Sequence, residues 1–124
     1  CLNNKPGIYS ARWAKKYGGF KKAMYKILKM VDKKNKNKNK KKDRRAKFVC
    51  CLSLKFPNGK IISATGCIYG TIAKKIKGLN GFGYDPIFIP KKSNLTYAEM
   101  SRKKKNNSDH RFVAFRKLKK KIKI

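Results

Sequence analysis

Apolar residues recur at Phe20, Ala23, Met24, Ile27, Leu28 and Val31, a stripe of 3.6-residue period with lysines opposite. The spacing predicts an amphipathic helix over 20–31, and such a stripe is more often the core face of a domain than a membrane-surface or partner-binding face. Residues 33–45, KKNKNKNKKKDRR, contain no apolar position and repel one another, which predicts a mobile, solvated loop. Ala46 to Phe56 is then rich in β-forming residues, Pro57-Asn58-Gly59 is turn-forming, and Lys60 to Thr65 is a second β-forming run. That pattern predicts a β-hairpin, and residues 66–73 continue it in extended form.

Gly78, Gly81 and Gly83 punctuate a loop that ends in Asp85-Pro86 and leads into a short apolar strand, Ile87-Phe88-Ile89. Thr96-Tyr97-Ala98-Glu99 has the spacing of a capping box, so a helix is expected to start at Tyr97 and run toward Lys105. Asp109 is placed to cap a last helix whose apolar stripe is Phe112, Phe115, Leu118 and Ile122. His110 and Arg111 then fall in its first turn. Exposed N–H groups there, beside Arg111 and Lys105, could read an anion or a carbonyl.

Composition changes this picture in three ways. At 124 residues the chain is one small domain or part of one, and 40% hydrophobic content is enough for a core. No run approaches the roughly 18 apolar residues of a membrane span. The first residue is Cys1, and Leu2-Asn3-Asn4-Lys5-Pro6 carries no apolar h-region, so these residues are not expected to be a signal peptide and the chain is expected to be processed or incomplete. Cysteines at 1, 50, 51 and 67 fit neither a zinc spacing nor a disulfide framework, so reduced, cytoplasmic thiols are expected, with Cys50 and Cys51 as small core residues.

The net charge of +31 is the third change, and it would attract nucleic acid non-specifically. The excess is 30 Lys against 6 Arg, accompanied by 10 Asn and 11 Ile, the residues of A/T-rich codons. Compositional drift over tolerant surface positions accounts for that balance better than selection for a polyanion. A Lys-rich nucleic-acid-binding module is nevertheless the alternative function class, separable from a base-reading pocket by its steep salt dependence.

The residues alone assemble no catalytic constellation. Asp32, Asp43, Asp85, Glu99 and Asp109 are scattered without the spacing of Mg²⁺ ligands or of an acid/base pair, and His110 is a lone histidine. Gly78-Leu-Asn-Gly-Phe-Gly-Tyr-Asp-Pro86 is neither a dinucleotide fingerprint nor a P-loop; by spacing alone a tight turn without ligand is its simpler reading.

Four segments carry more. Pro6-Gly-Ile-Tyr-Ser-Ala-Arg12, Gly81-Phe-Gly-Tyr-Asp-Pro-Ile-Phe88, Thr96-Tyr-Ala-Glu-Met100 and Lys105-Asn-Asn-Ser-Asp-His-Arg111 together resemble, in order and spacing, the non-canonical purine NTP pyrophosphatases, also called XTP/dITP diphosphatases or inosine triphosphate pyrophosphatases. The resemblance covers nearly the whole chain. It implies an α/β fold with a mixed, elongated β-sheet and flanking helices, Mg²⁺ dependence and a homodimer. It also implies hydrolysis of dITP, ITP and XTP to the monophosphate and pyrophosphate in the cytoplasmic nucleotide pool. By motif match, Phe82 would stack on the purine and Asp85 would bond near the base. Lys105, His110 and Arg111 would complete the base pocket, with Gly83 and Tyr84 shaping the loop. Two departures stand out. The His-Arg pair follows Ser108-Asp109, where the family carries an aliphatic residue and Ser. The S/T-G-N-x-x-K and D-D-S-G-L motifs, which hold phosphate, metal and general base, do not occur in this sequence. The resemblance therefore leads to the expectation that residues 1–124 are the C-terminal part of a single domain, with catalytic and metal-binding residues upstream of Cys1 and no activity in this part alone.

Overall fold

The computed structural model describes residues 1–37, 39 and 41–122. A 3-10 turn, Gly7–Tyr9, leads into α1 (Ser10–Tyr17), which stops at Gly18, a residue in the left-handed region (φ +85°). The sequence pattern missed α1 because the helix is only eight residues long, and of its apolar side, Ala11, Trp13, Ala14 and Tyr17, only Ala14 is buried. Next, α2 (Phe20–Lys34) buries the expected Ala23, Met24, Ile27, Leu28 and Val31, while Phe20, at the tip of the stripe, stays exposed. With Leu2 and Ile87, four of these, Met24, Ile27, Leu28 and Val31, make one core cluster.

The helix reaches two residues into the segment expected to be loop. Beyond it Asn35 closes the segment's base: its Nδ2 donates to the Asp43 carbonyl at 3.0 Å and its Oδ1 accepts from the Asp43 N–H at 2.8 Å. At Lys38 and Lys40 the expectation of a mobile loop lies outside the described residues.

The hairpin forms as predicted. β1 (Arg45–Lys55) pairs antiparallel with β2 (Ile61–Ile72), Cys50 opposite Gly66, and β3 (Phe88–Pro90) adds antiparallel to the far end of β2. Helices flank this sheet, and the three strands described are antiparallel throughout. Phe88, Tyr97 and Met100 form a second core cluster, with Ala46, Phe48 and Ile68 packed against it. Cys51 is exposed, against the expectation of a core residue, because period-two alternation turns it away from Cys50.

Two helix expectations change. The helix expected from Tyr97 to Lys105 is split into a 3-10 turn, Tyr97–Glu99, and α3 (Arg102–Asn106). Glu99 does accept the Thr96 N–H at 3.0 Å, closing the capping box. But Asn80 takes the carbonyls of Ala98 and Met100, each at 3.0 Å, so they accept from the loop rather than from a continuing helix. Met100 turns extended (ψ 154°) and is buried, and Ser101 starts α3 by accepting the Lys104 N–H. In α4 (His110–Lys121), Asp109 is the cap, accepting the Phe112 N–H at 2.9 Å, but the buried positions are Ala114 and Leu118. Phe115 of the expected stripe is 56% exposed. α4 runs so close to β2 that a Cβ at Gly66 would lie 2.1 Å from the His110 carbonyl oxygen and 2.4 Å from the Ala114 nitrogen. Only a small residue fits that face, so Ala114 takes it and Phe115 points away.

Candidate functional site: a cationic cluster around an exposed ring

The loop of residues 77–86 leaves β2 and is fastened before it reaches Phe82. The Thr96 hydroxyl donates to the Lys77 carbonyl at 2.8 Å, and the Lys77 N–H donates to the Pro86 carbonyl at 2.9 Å. Phe82 is flanked by Gly81 (φ +73°) and Gly83 (φ +62°), conformations that any Cβ would strain. A Cβ on Gly81 would also lie 2.2 Å from Asp85 Oδ2. The tight turn therefore exists to bring that carboxylate back under the loop, where Oδ2 accepts the Phe82 N–H at 3.0 Å.

The same oxygen accepts from Lys105 Nζ at 2.5 Å, and both partners are buried, Asp85 3% and Lys105 5% exposed. A buried, charge-assisted pair of this kind is rigid, and removal of either member strands a charge. Lys105 Nζ also sits 4.4 Å from the centroid of the Phe82 ring and 5.9 Å from that of Tyr97. The Arg111 guanidinium, from the first turn of α4, lies 4.4 Å from the Phe82 centroid. Two cations thus attend one ring that is 59% exposed. One of them, Arg111, has no carboxylate among the described ion pairs.

Of the residues singled out in the sequence, Phe82, Asp85, Lys105 and Arg111 come together. Gly83 supplies the turn. Tyr84 points away from them: its hydroxyl donates to the Ser10 carbonyl at 2.6 Å and its ring meets Phe20 edge-on, with burial raising its phenol pKa. His110 lies edge-on to Phe48, 5.2 Å between centroids, with Nδ1 buried and without a partner among the described residues. Burial holds its imidazole below the usual value of 6.5 and keeps it neutral, although the Asp109 carboxylate works against that. Sequence reasoning did not single out Asn80 or Tyr97 as site residues. Asn80 locks the loop onto residues 98–100; Tyr97, buried and holding its proton through desolvation, walls Lys105. Neither the glycine spacing around Asn80 nor the capping box that contains Tyr97 signals these roles.

The Mg²⁺ implied by the sequence resemblance takes an octahedral set of oxygen ligands, usually one or two carboxylates with water and substrate phosphates. Among the described residues no three of His, Cys, Asp and Glu gather to hold a metal ion, and the buried Asp85 Oδ2 is already shared by two donors. The carboxylate beside Phe82 is therefore paired with the Lys105 ammonium rather than presented to Mg²⁺. No helix of the described residues is long and apolar enough to cross a membrane.

Comparison with known proteins places this geometry in context. The model of the Ham1 family matches residues 1–121. The dITP/XTP pyrophosphatase of Clostridium tetani is 40% identical over 122 residues, covering 98% of this chain and 57% of that protein. The dITP/XTP pyrophosphatase of Methylacidiphilum infernorum is 42% identical over 118 residues, 95% of this chain and 56% of that protein. Among solved structures, the Ham1 protein of Staphylococcus aureus superposes with a TM-score of 0.80 at 37% identity, covering 98% of this chain and 59% of that one. A HAM1 protein from Coxiella burnetii gives 0.83 at 32% identity, covering 98% and 60%. The chain spans just over half the length of the relatives it matches.

Proposed function

Since this chain belongs to the Ham1 family, we propose that it serves in the hydrolysis of non-canonical purine nucleoside triphosphates, dITP, ITP and XTP, to the monophosphate and pyrophosphate, and that its own part is to read the base. The observation that carries this is the exposed Phe82 ring attended by Lys105 and Arg111 above a buried Asp85. An exposed ring offers a stacking platform for a flat heterocycle. Two cationic donors beside it suit the 6-oxo group of hypoxanthine or xanthine, which accepts hydrogen bonds. Adenine presents an amino donor at that position, and donor facing donor leaves both unpaired, which is how a polar site rejects a near-isostere.

In this reading Asp85 holds Lys105 in place and is available near the base, and neutral His110 lines the first turn of α4. Neither metal ligation nor the general base is assigned to any of these residues. The four free thiols suit a reducing, cytoplasmic nucleotide pool, and the assembly proposed is a homodimer.

Calorimetric titration of the 124-residue chain with inosine and adenosine monophosphates, at low and at physiological salt, tests the reading. Inosine is expected to bind more tightly at both salts. Equal affinities that collapse together as salt rises would overturn it in favour of a non-specific polyanion binder. Turnover of ITP by these residues with Mg²⁺ is expected to be absent.

A further inference from the structure

Phe82 sits between two glycines in left-handed conformations, and among the described residues its backbone is held by Asp85 alone, whose Oδ2 accepts the Phe82 N–H at 3.0 Å and whose N–H donates to the Phe82 carbonyl at 3.3 Å. The anchors lie on either side. Before the glycines, Asn80 ties the loop to residues 98–100; after them come Tyr84 and Asp85. Asp85 reaches Lys105, inside the cluster itself. Tyr84 reaches out of it, across 74 residues of sequence, to the Ser10 carbonyl at the start of α1. Its ring is braced there by Phe20 at the start of α2, 5.4 Å away and nearly perpendicular, and a Cβ at Gly83 would meet the same Phe20 ring at 3.7 Å. The Ser10 carbonyl belongs to the segment Pro6–Arg12, so two of the sequence motifs meet at this one hydrogen bond.

We propose that Tyr84 is a positioning residue that sets base selectivity by tethering the Phe82 loop to the start of α1, and that it does not touch the base. This rests on the base-reading site proposed above. Without the tether, Asp85 still joins the Phe82 backbone to Lys105, but the segment after Gly83 loses its outer fixed point, and Phe82 can tilt about that single anchor on Gly81 and Gly83. The Phe82 ring then loses its fixed distance to Lys105 and Arg111, and stacking no longer places a purine's 6-position against the donors. A donor hydroxyl on a backbone carbonyl is lost cleanly in Tyr84→Phe, which retains the edge contact with Phe20.

The test uses the 124-residue chain and two readouts. Tyr84→Phe is expected to narrow the ratio of inosine to adenosine monophosphate affinity by roughly three- to tenfold, the span of one modest hydrogen bond, and to speed hydrogen exchange of the Phe82 amide without altering exchange in β1 and β2. Phe20→Leu, which leaves the hydroxyl bond in place, is expected to preserve most of the selectivity. An unchanged affinity ratio and unchanged Phe82 exchange in Tyr84→Phe would overturn the tether. So would faster exchange throughout the chain, which marks a purely structural role. If the unmutated chain shows no preference for inosine, the base-reading site itself fails, and the exchange readout alone then decides the tether.

Discussion

Asp85 gives one carboxylate oxygen to two donors, and the consequences of removing it differ from those of removing Lys105. Asp85→Asn leaves a buried ammonium without a counter-charge, and Lys105→Met leaves a buried carboxylate held only by the Phe82 N–H. Each is expected to lower stability by about 3–5 kcal/mol in urea unfolding, whereas the double variant should lose clearly less than the sum, since no stranded charge remains. His110 makes a separate prediction. Its folded pKa lies below the ordinary 6.5, so as pH falls through that value the unfolded chain takes a proton that the folded one resists. The unfolded state binds more protons there, and stability is full above about pH 6.5 and declines as pH drops toward the folded value. Urea midpoints followed between about pH 7.5 and 5.5 should fall on acidification, and His110→Phe should flatten that fall.

At the scale of elements, the site depends on how closely α4 lies on β2. Gly66→Ala drives a methyl group against the backbone at His110 and Ala114, which no rotamer change can relieve. It is expected to lower stability by at least about 2 kcal/mol in thermal unfolding and to weaken inosine binding, because His110 and Arg111 move with the helix. Asp109→Ala removes the cap of the same helix and should cost about 1 kcal/mol. The N-cap was legible in the sequence because capping is local chemistry. The break at Met100 was not, because Asn80, twenty residues away, takes the carbonyls a helix would have used.

For the molecule as a whole, net charge is the dominant electrostatic fact. A formal +31 repels itself most in the compact state. Adding neutral salt should therefore raise the melting temperature, and a fall on going from low to roughly physiological ionic strength would show that self-repulsion is not what limits stability. The Asn35–Asp43 bonds bring the ends of the lysine-rich segment together, so replacing residues 36–42 with a short Gly-Ser linker should leave inosine preference intact and raise stability slightly.

The sequence by itself determined what repeats over a few residues: the stripe of α2, the hairpin and its turn, the Asp109 cap, and the motifs that mark the Phe82 loop and the His110-Arg111 pair. Such signals are carried by neighbours in the chain, so they survive without a partner. The motif resemblance singled out Lys105 from the Lys103–Lys105 run, but tertiary structure decided that it is buried, where Asp85 from a distant segment supplies the counter-charge. Tertiary structure likewise decided that Ala114 rather than Phe115 faces β2, that Cys51 faces outward, and that the Tyr84 hydroxyl reaches the Ser10 carbonyl of α1. Each of these is a contact between residues distant in sequence, settled by packing distance and desolvation.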